Sequence, residues 1–318
     1  MMNPAYLLFG LPLLLLMGCG SLRQEVDPKG VVGEGEQVVV TCFISPQDTV
    51  LAARVSRSLP ILGLGNQNDL DIPNATVTLS DGSQSVILRL QRRADPYNYG
   101  TMSILYRALA SELAIVAGKR YTLTVQVPDG RQIRASCTVP EPVQLDQVEL
   151  DSSTINEYGL IRKDYYARLH WQDPARQTNY YRVAGNNAYT YNFRFQPGPN
   201  TPVRDSTGLL WGDWTFSSAA MLTDVGRDGQ AMRSGRGRLA INYLWINGQQ
   251  QSSLARGPLY AYLLNVDENY YRYHEAIDRQ RSVGDNPFAE PVLVPTTVQG
   301  GLGCFGAYNR STLALQVN

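Results

Sequence analysis

From Tyr121 to Val127 apolar and polar residues alternate without a break, and the run stops at Asp129-Gly130. Successive side chains of an extended chain point to opposite sides, so Tyr121, Leu123, Val125 and Val127 share one face. A helix would scatter the same four residues around its axis. The pattern recurs. Ala75-Thr76-Val77-Thr78-Leu79-Ser80 alternates up to Asp81-Gly82, a hairpin signal. Tyr165, Ala167, Leu169 and Trp171 face one way, with Arg168 and His170 opposite. Tyr189, Tyr191, Phe193 and Phe195 alternate against Thr190, Asn192 and Arg194. Leu239, Ile241, Tyr243 and Trp245 run into Asn247-Gly248, the strongest short hairpin signal. Such a chain is mainly β.

Short strands at this spacing between Val38 and Pro140 suit a sandwich of immunoglobulin-like size, and Pro140-Glu141-Pro142 closes it. The expectation is an immunoglobulin-like β-sandwich over residues 37–142 and a second β-rich domain over 143–318. The length of 318 residues allows about two domains. One helix is expected near residues 268–281. Asp267 can cap it, and Tyr270, Tyr273, His274 and Ile277 fall at helical spacing. Ser111 to Ala117 fits a short helix or a strand equally well.

The N-terminus reads differently. Tyr6 to Met17 is apolar, interrupted by Gly10 and Pro12, and too short for the roughly 20 residues of a spanning helix. It suits the apolar region of a cleaved secretory signal, although Met1 to Ala5 carries no Lys or Arg. Leu13-Leu14-Leu15-Leu16-Met17-Gly18-Cys19 has the form of a lipobox, with Cys19 as the acylated first residue of the mature chain. Residues 1–18 are then the signal peptide, and 19–36 the lipidated cysteine and tether. Each buried CH₂ of an acyl chain contributes about 0.8 kcal/mol, and one chain holds only marginally, so several chains on one cysteine anchor firmly. Membrane lipid is thus the first expected partner.

Lys+Arg and Asp+Glu are equal at 28 each, so no basic surplus points to nucleic acid. Of the four cysteines, Cys19 is assigned to lipid. Cys42 shares parity with Val38, Val40 and Ile44, and Cys137 with Ile133, Ala135 and Val139, so both point inward. Outside the cytoplasm they could form a disulfide; two buried thiols is the equal alternative. Cys304 is left over and reads as buried. With no Cys-x-x-Cys and no Cys/His cluster, no metal site or cofactor is expected.

Catalytic templates fail. Gly-x-Ser-x-Gly and His-Glu-x-x-His are absent from the sequence. His170 and His274, the two histidines, read as structural. Asp224, Asp228 and Gly229 lack the alternating oxygen ligands and terminal Glu of a calcium loop and read as a turn. Gly300-Gly301-Leu302-Gly303 lacks the Lys and Ser/Thr of a phosphate loop; its expected role is close backbone approach or turns at positive φ. Trp171 and Trp245 share parity with core residues. Trp211 and Trp214 flank a turn and are the candidate ligand contacts.

Several stretches together resemble a known family: Ala75 to Leu79 with Asp81-Gly82, Gly118 to Val125, Asp173-Pro174 with Asn179-Tyr180-Tyr181, and Asp224 with Asp228-Gly229. The most specific are Asn286-Pro287-Phe288-Ala289-Glu290-Pro291-Val292 and Gly300 to Ala307. On these the chain resembles the Bacteroidetes lipoproteins grouped as a domain of unknown function, DUF 4249. The resemblance implies an outer-membrane lipoprotein, often encoded beside a TonB-dependent transporter, with no established catalytic residues. The expected function is a non-enzymatic accessory or binding role beside such a transporter. The alternatives are an envelope glycan-binding or glycan-active protein, and a structural or adhesion module.

Overall fold

The computed structural model describes residues 36–58, 70–94, 102–157, 160–196, 198, 201–202, 204–216, 219–246, 249–283 and 292–317. The smaller of two units, Met1–Glu36 with Leu59–Gly65, lies outside these except for Glu36. Every described strand and the helix belong to the larger unit, Gln37–Ser58 with Asn66–Asn318.

The alternating runs become strands. The first set is β1 (Val38–Ile44), β2 (Val50–Arg57), β3 (Thr76–Ser80), β4 (Ser85–Ala94), β5 (Met102–Leu109), β6 (Arg120–Gln126) and β7 (Gln132–Thr138). Longer strands come after them: β8 (Gln147–Glu157), β9 (Leu160–Gln172), β10 (Tyr180–Phe195) and β11 (Arg204–Asp213). Short ones come next: β12 (Thr215–Phe216), β13 (Met221–Thr223), β14 (Ala231–Arg233), β15 (Gly237–Arg238), β16 (Asn242–Ile246) and β17 (Gln249–Ser253). The chain ends with β18 (Gly257–Val266), helix α1 (Glu268–Val283) and β19 (Leu302–Val317). The protein is mainly β, with one helix among the described residues.

A 12-stranded sheet runs in the order β11-β10-β18-β19-β1-β2-β5-β4-β3-β6-β7, with β13 paired to β10. Two strands carry its turns of direction. β4 pairs with β3 from Ser85 to Leu88 and with β5 from Arg89 to Ala94, changing partner midway. β19 pairs in parallel with β1 through its first half and antiparallel with β18 from Tyr308 onward. The hairpin turns form where the residues require them, with Gly82 and Gly130 both at φ 91°. β16 and β17 pair out to Ile246 and Gln249, while Asn247-Gly248 lies outside the described residues.

One core collects the inward faces of β1, β2, β3, β6 and β7 with Phe305 and Ala307 of β19. Tyr121, Leu123, Val125 and Val127 all sit in it, as their alternation requires. A second core is built on Leu169, Trp171, Tyr181, Val183, Trp214 and Leu263. Fully burying a side chain of this size contributes roughly 1.5–3 kcal/mol. The glycine run of β19 works by close approach. A Cβ on Gly303, at φ 117°, would lie 2.0 Å from the Val40 carbonyl oxygen, and one on Gly301 2.5 Å from that of Val38. Neither position has room for a side chain.

Helix α1 covers the outer side of this junction. Asp267 caps it, its Oδ1 accepting the Tyr270 N–H at 2.8 Å. Tyr270 and His274 stack on Phe43 of β1, with ring centroids 5.0 and 4.9 Å away. Among the described residues no helix is long and apolar enough to cross a membrane.

Candidate functional site

The residues singled out by sequence separate in space. Cys19 lies outside the described residues. Cys42 and Cys137 face the same core, as parity requires, but they are free thiols and not a disulfide. Cys304 is a third buried free thiol. Burial raises the pKa of all three, that of Cys304 to about 12, so they stay protonated and unreactive.

Trp211 and Trp214 part company. Trp214 is buried in the second core, and its Nε1 donates to Asn187 Oδ1 at 3.0 Å. The ring lies over Gly185 of β10, where a Cβ would fall 2.2 Å from it. It is therefore a core residue and does not reach a ligand at the surface. Trp211 stays 51% exposed on β11, leaning on Tyr260 at a centroid distance of 5.6 Å.

Trp211 belongs to an edge. Among the described residues β11 pairs with β10 alone. Leu209 is 61% exposed and Leu210 43%. Alternation puts Leu209 and Trp211 on one face and Leu210 on the other. An edge with a short apolar stretch, Leu209 to Trp211, exposed on both faces can take another strand, because its outer N–H and C=O groups can continue the ladder. Backbone pairing would supply affinity, and the flanking side chains selectivity.

A second assembly gathers residues that are far apart in sequence. Asp173 at the end of β9, Asp224 after β13 and Asp228 in the following turn place carboxylate oxygens within 4.8 Å of one another. Asp173 and Asp224 are buried, Asp228 exposed. Each is tied by donors. Asp173 accepts from the Tyr181 hydroxyl, from Asn179 Nδ2 and from the Gly229 N–H. Asp224 accepts the Asn179 N–H at 2.8 Å. Asp228 accepts the N–H of Arg176, a non-glycine residue held at φ 70°. Burial first, then the hydrogen bond to Asp173, raises the Tyr181 pKa, so this phenol remains a donor. Carboxylates are ligands for hard cations, yet here backbone amides already hold them. Chemically the corner is a clamp, locking the 173–181 loop to the 224–229 turn. The turn expected at Asp224 to Gly229 is present; its partnership with Asp173 has no signal in the sequence.

The two histidines sit in different surroundings. His170 Nε2 lies 3.1 Å from Glu149 Oε2 on the outer face of β9. His274 sits in a cage of Phe43, Tyr270 and Tyr273, and its buried Nε2 has no hydrogen-bond partner among the described residues. Burial, then the charges of Arg182 and Arg281, lower its pKa to about 4. An imidazole held neutral and enclosed in this way is poorly placed to relay protons to a substrate.

With this geometry in place, two comparisons bear on what the chain is. A family model described as a domain of unknown function (DUF4249) matches residues 23–314. No curated protein matches.

Proposed function

The chain belongs to the DUF4249 family, and from that premise we propose that it is an outer-membrane lipoprotein acting as a non-catalytic accessory or binding partner of a TonB-dependent transporter. The observation that carries this reading is the apolar run Leu13 to Met17 closing on Gly18-Cys19. Acyl chains on Cys19 would confine the protein to a surface, and confinement raises the effective concentration of a neighbour in the same membrane. The exposed edge of β11 supports docking, since a partner strand can extend the sheet there and cover Leu209, Leu210 and Trp211. His170, paired with Glu149, the enclosed His274 and the clamped carboxylates support a non-enzymatic role.

The test is crosslinking in intact cells followed by affinity purification from detergent-solubilised membranes. Wild type should bring down a transporter of this class. Leu210→Lys, which places a charge on the outer strand, should lose most of it while still partitioning with membranes. Cys19→Ser should leave the membrane fraction altogether. Recovery of free monomer alone from wild type would overturn the docking reading, and membrane-bound Cys19→Ser the anchor.

A further inference from the structure

The outer face of the β6–β7 hairpin is polar from end to end. Tyr121, Leu123, Val125 and Ile133 point into the first core. Arg120, Thr122 and Thr124 of β6 therefore stand on the other face, with Arg134, Ser136 and Thr138 of β7. In register, Thr122 lies opposite Ser136 and Thr124 opposite Arg134. Two other elements wall this face. Gln299 and Arg134 exchange both backbone hydrogen bonds, at 3.0 and 2.8 Å, laying the 296–299 segment along the free edge of β7. Gly300 holds that segment close, since a Cβ there would meet the Gln132 carbonyl oxygen at 2.4 Å. Further along the same edge Asn269, in the first turn of α1, donates to the carbonyls of Ser136 and Phe305, each at 3.2 Å.

Over this face, bordered along the β7 edge by both elements, lies a groove of about 660 Å³, within the range of roughly 300–1,000 Å³ typical of small-molecule sites. Its lining contains two guanidinium groups, several hydroxyl and amide groups, no carboxylate and no aromatic ring. Among the described residues neither Arg120 nor Arg134 has a carboxylate partner, whereas Arg54 is paired with Asp71 and Arg89 with Glu112 on nearby strands. The Arg120 Nη2 donates to Ser136 Oγ at 2.6 Å, which orients the guanidinium and leaves most of its five donors unused.

These features specify a ligand. A guanidinium recognises oxyanions, carboxylate above all, through paired donors. The two arginines stand on adjacent strands four register positions apart, about 13 Å between their backbones, and the Arg120 guanidinium reaches back toward Arg134 as far as Ser136. An extended ligand with anionic groups spaced along it can therefore meet both. In the ladder Thr122 and Ser136 lie between them, and the Thr122 hydroxyl and the remaining capacity of Ser136 Oγ match a ligand that carries hydroxyls of its own. We propose that this groove binds an acidic saccharide, its carboxylates held by Arg120 and Arg134 and its hydroxyls by the polar floor. The site is distinct from the β11 edge and independent of docking there.

Calorimetric titration of the full chain in detergent micelles tests this. The probes are trigalacturonate, neutral maltotriose and triglutamate. Trigalacturonate should bind, with affinity falling at least tenfold in Arg120→Gln and in Arg134→Gln. Maltotriose lacks the charges and triglutamate the hydroxyls; each should bind at least tenfold more weakly. Circular dichroism melts check that the variants fold, and Arg134→Lys, which keeps the charge but loses the planar fork, replaces any that does not and should also weaken binding. Three results would overturn the assignment: no heat with trigalacturonate, binding indifferent to both arginines, or triglutamate bound as tightly, which would make the groove an acidic-peptide site.

Discussion

The corner at Asp173, Asp224 and Asp228 and the groove at Arg120 and Arg134 are two charged regions of the molecule that sequence-distant residues assemble. Gln177 and Thr178 line both a recess beside Asp267 and Glu268 and one beside Asp224 and Asp228, while Asn269 lines the groove. Both places concentrate charge of one sign, and they differ in what the charges already hold. Asp173 is held by three donors and Asp224 and Asp228 by one backbone N–H each, all from the same two loops or the start of β10. The guanidiniums keep most of their donors turned outward. Density of like charge is therefore a poor marker of a ligand site. Unused hydrogen-bonding capacity is a better one, because an internal network that satisfies itself stabilises the fold and leaves nothing to recognise with.

The sharpest way to break this contrast is Asp173→Ala. It removes the acceptor for a buried phenol, an amide side chain and a backbone N–H at once. A buried donor left unsatisfied costs about 1–3 kcal/mol, so a loss of about 4 kcal/mol in denaturant titration is expected. A neutral or stabilising result would show that repulsion among the three carboxylates outweighs their hydrogen bonds. The corner would then be strained and in need of a cation, and the contrast with the groove would fail.

The next largest effect concerns helix α1, whose Asn269 lines the groove. Burial raises the Asp267 pKa from 3.8 to about 7, against the opposing N–H of Tyr270. The neutral acid is thus favoured in the fold, and its stabilisation is complete below pH 3.8 and lost as pH rises through 7. His274, lowered from 6.5 to about 4, behaves oppositely. Its contribution is complete above pH 6.5 and lost as pH falls through 4. At about 1.4 kcal/mol per unit these terms are about 4 and 3 kcal/mol, and between about pH 4 and 6.5 they nearly cancel. Asp267→Asn should unmask the histidine, so that stability falls by about 3 kcal/mol on acidification across that window. His274→Phe should leave a fall of about 4 kcal/mol as pH rises from about 4 to 7. Urea titrations across this range suffice, and slopes of equal sign in the two variants would refute the assignment.

What the sequence made legible depends on the range of the interaction. Strands set by their own alternation, turns set by Gly82 and Gly130, and a helix set by Asp267 and the Tyr270–His274 spacing are local and form as read, except that the run read from Leu239 is strand only from Asn242. Ser111 to Ala117, ambiguous in sequence, is neither helix nor strand; Leu113 and Ile115 simply plug the first core. Trp214 is misread from sequence because its burial depends on a vacancy 29 residues earlier, at Gly185, on a different strand. Asp173 escapes notice as the partner of Asp224 and Asp228 for the same reason. The parallel pairing of β19 with β1 joins the two ends of the described chain, and no local period records it. The groove is hidden because Arg120 and Arg134 each read as an ordinary outward-facing strand residue. Their shared wall is supplied by α1 and the 296–299 segment, more than 130 residues further along.

The smallest predicted effect bears on the contrast from the other side. Arg120→Ala and Arg134→Ala remove exposed side chains whose guanidiniums make one hydrogen bond between them, to Ser136. Surface substitutions of this kind usually change stability by no more than about 0.5 kcal/mol. Both variants should therefore unfold within about 0.5 kcal/mol of wild type, against about 4 kcal/mol for Asp173→Ala. A loss above about 1.5 kcal/mol in either, well outside that surface range, would mean that the arginine holds the 296–299 wall or the first turn of α1 in place. The groove would then be a second clamp, built from cations where the first uses anions, and the difference between the two regions would be one of sign alone.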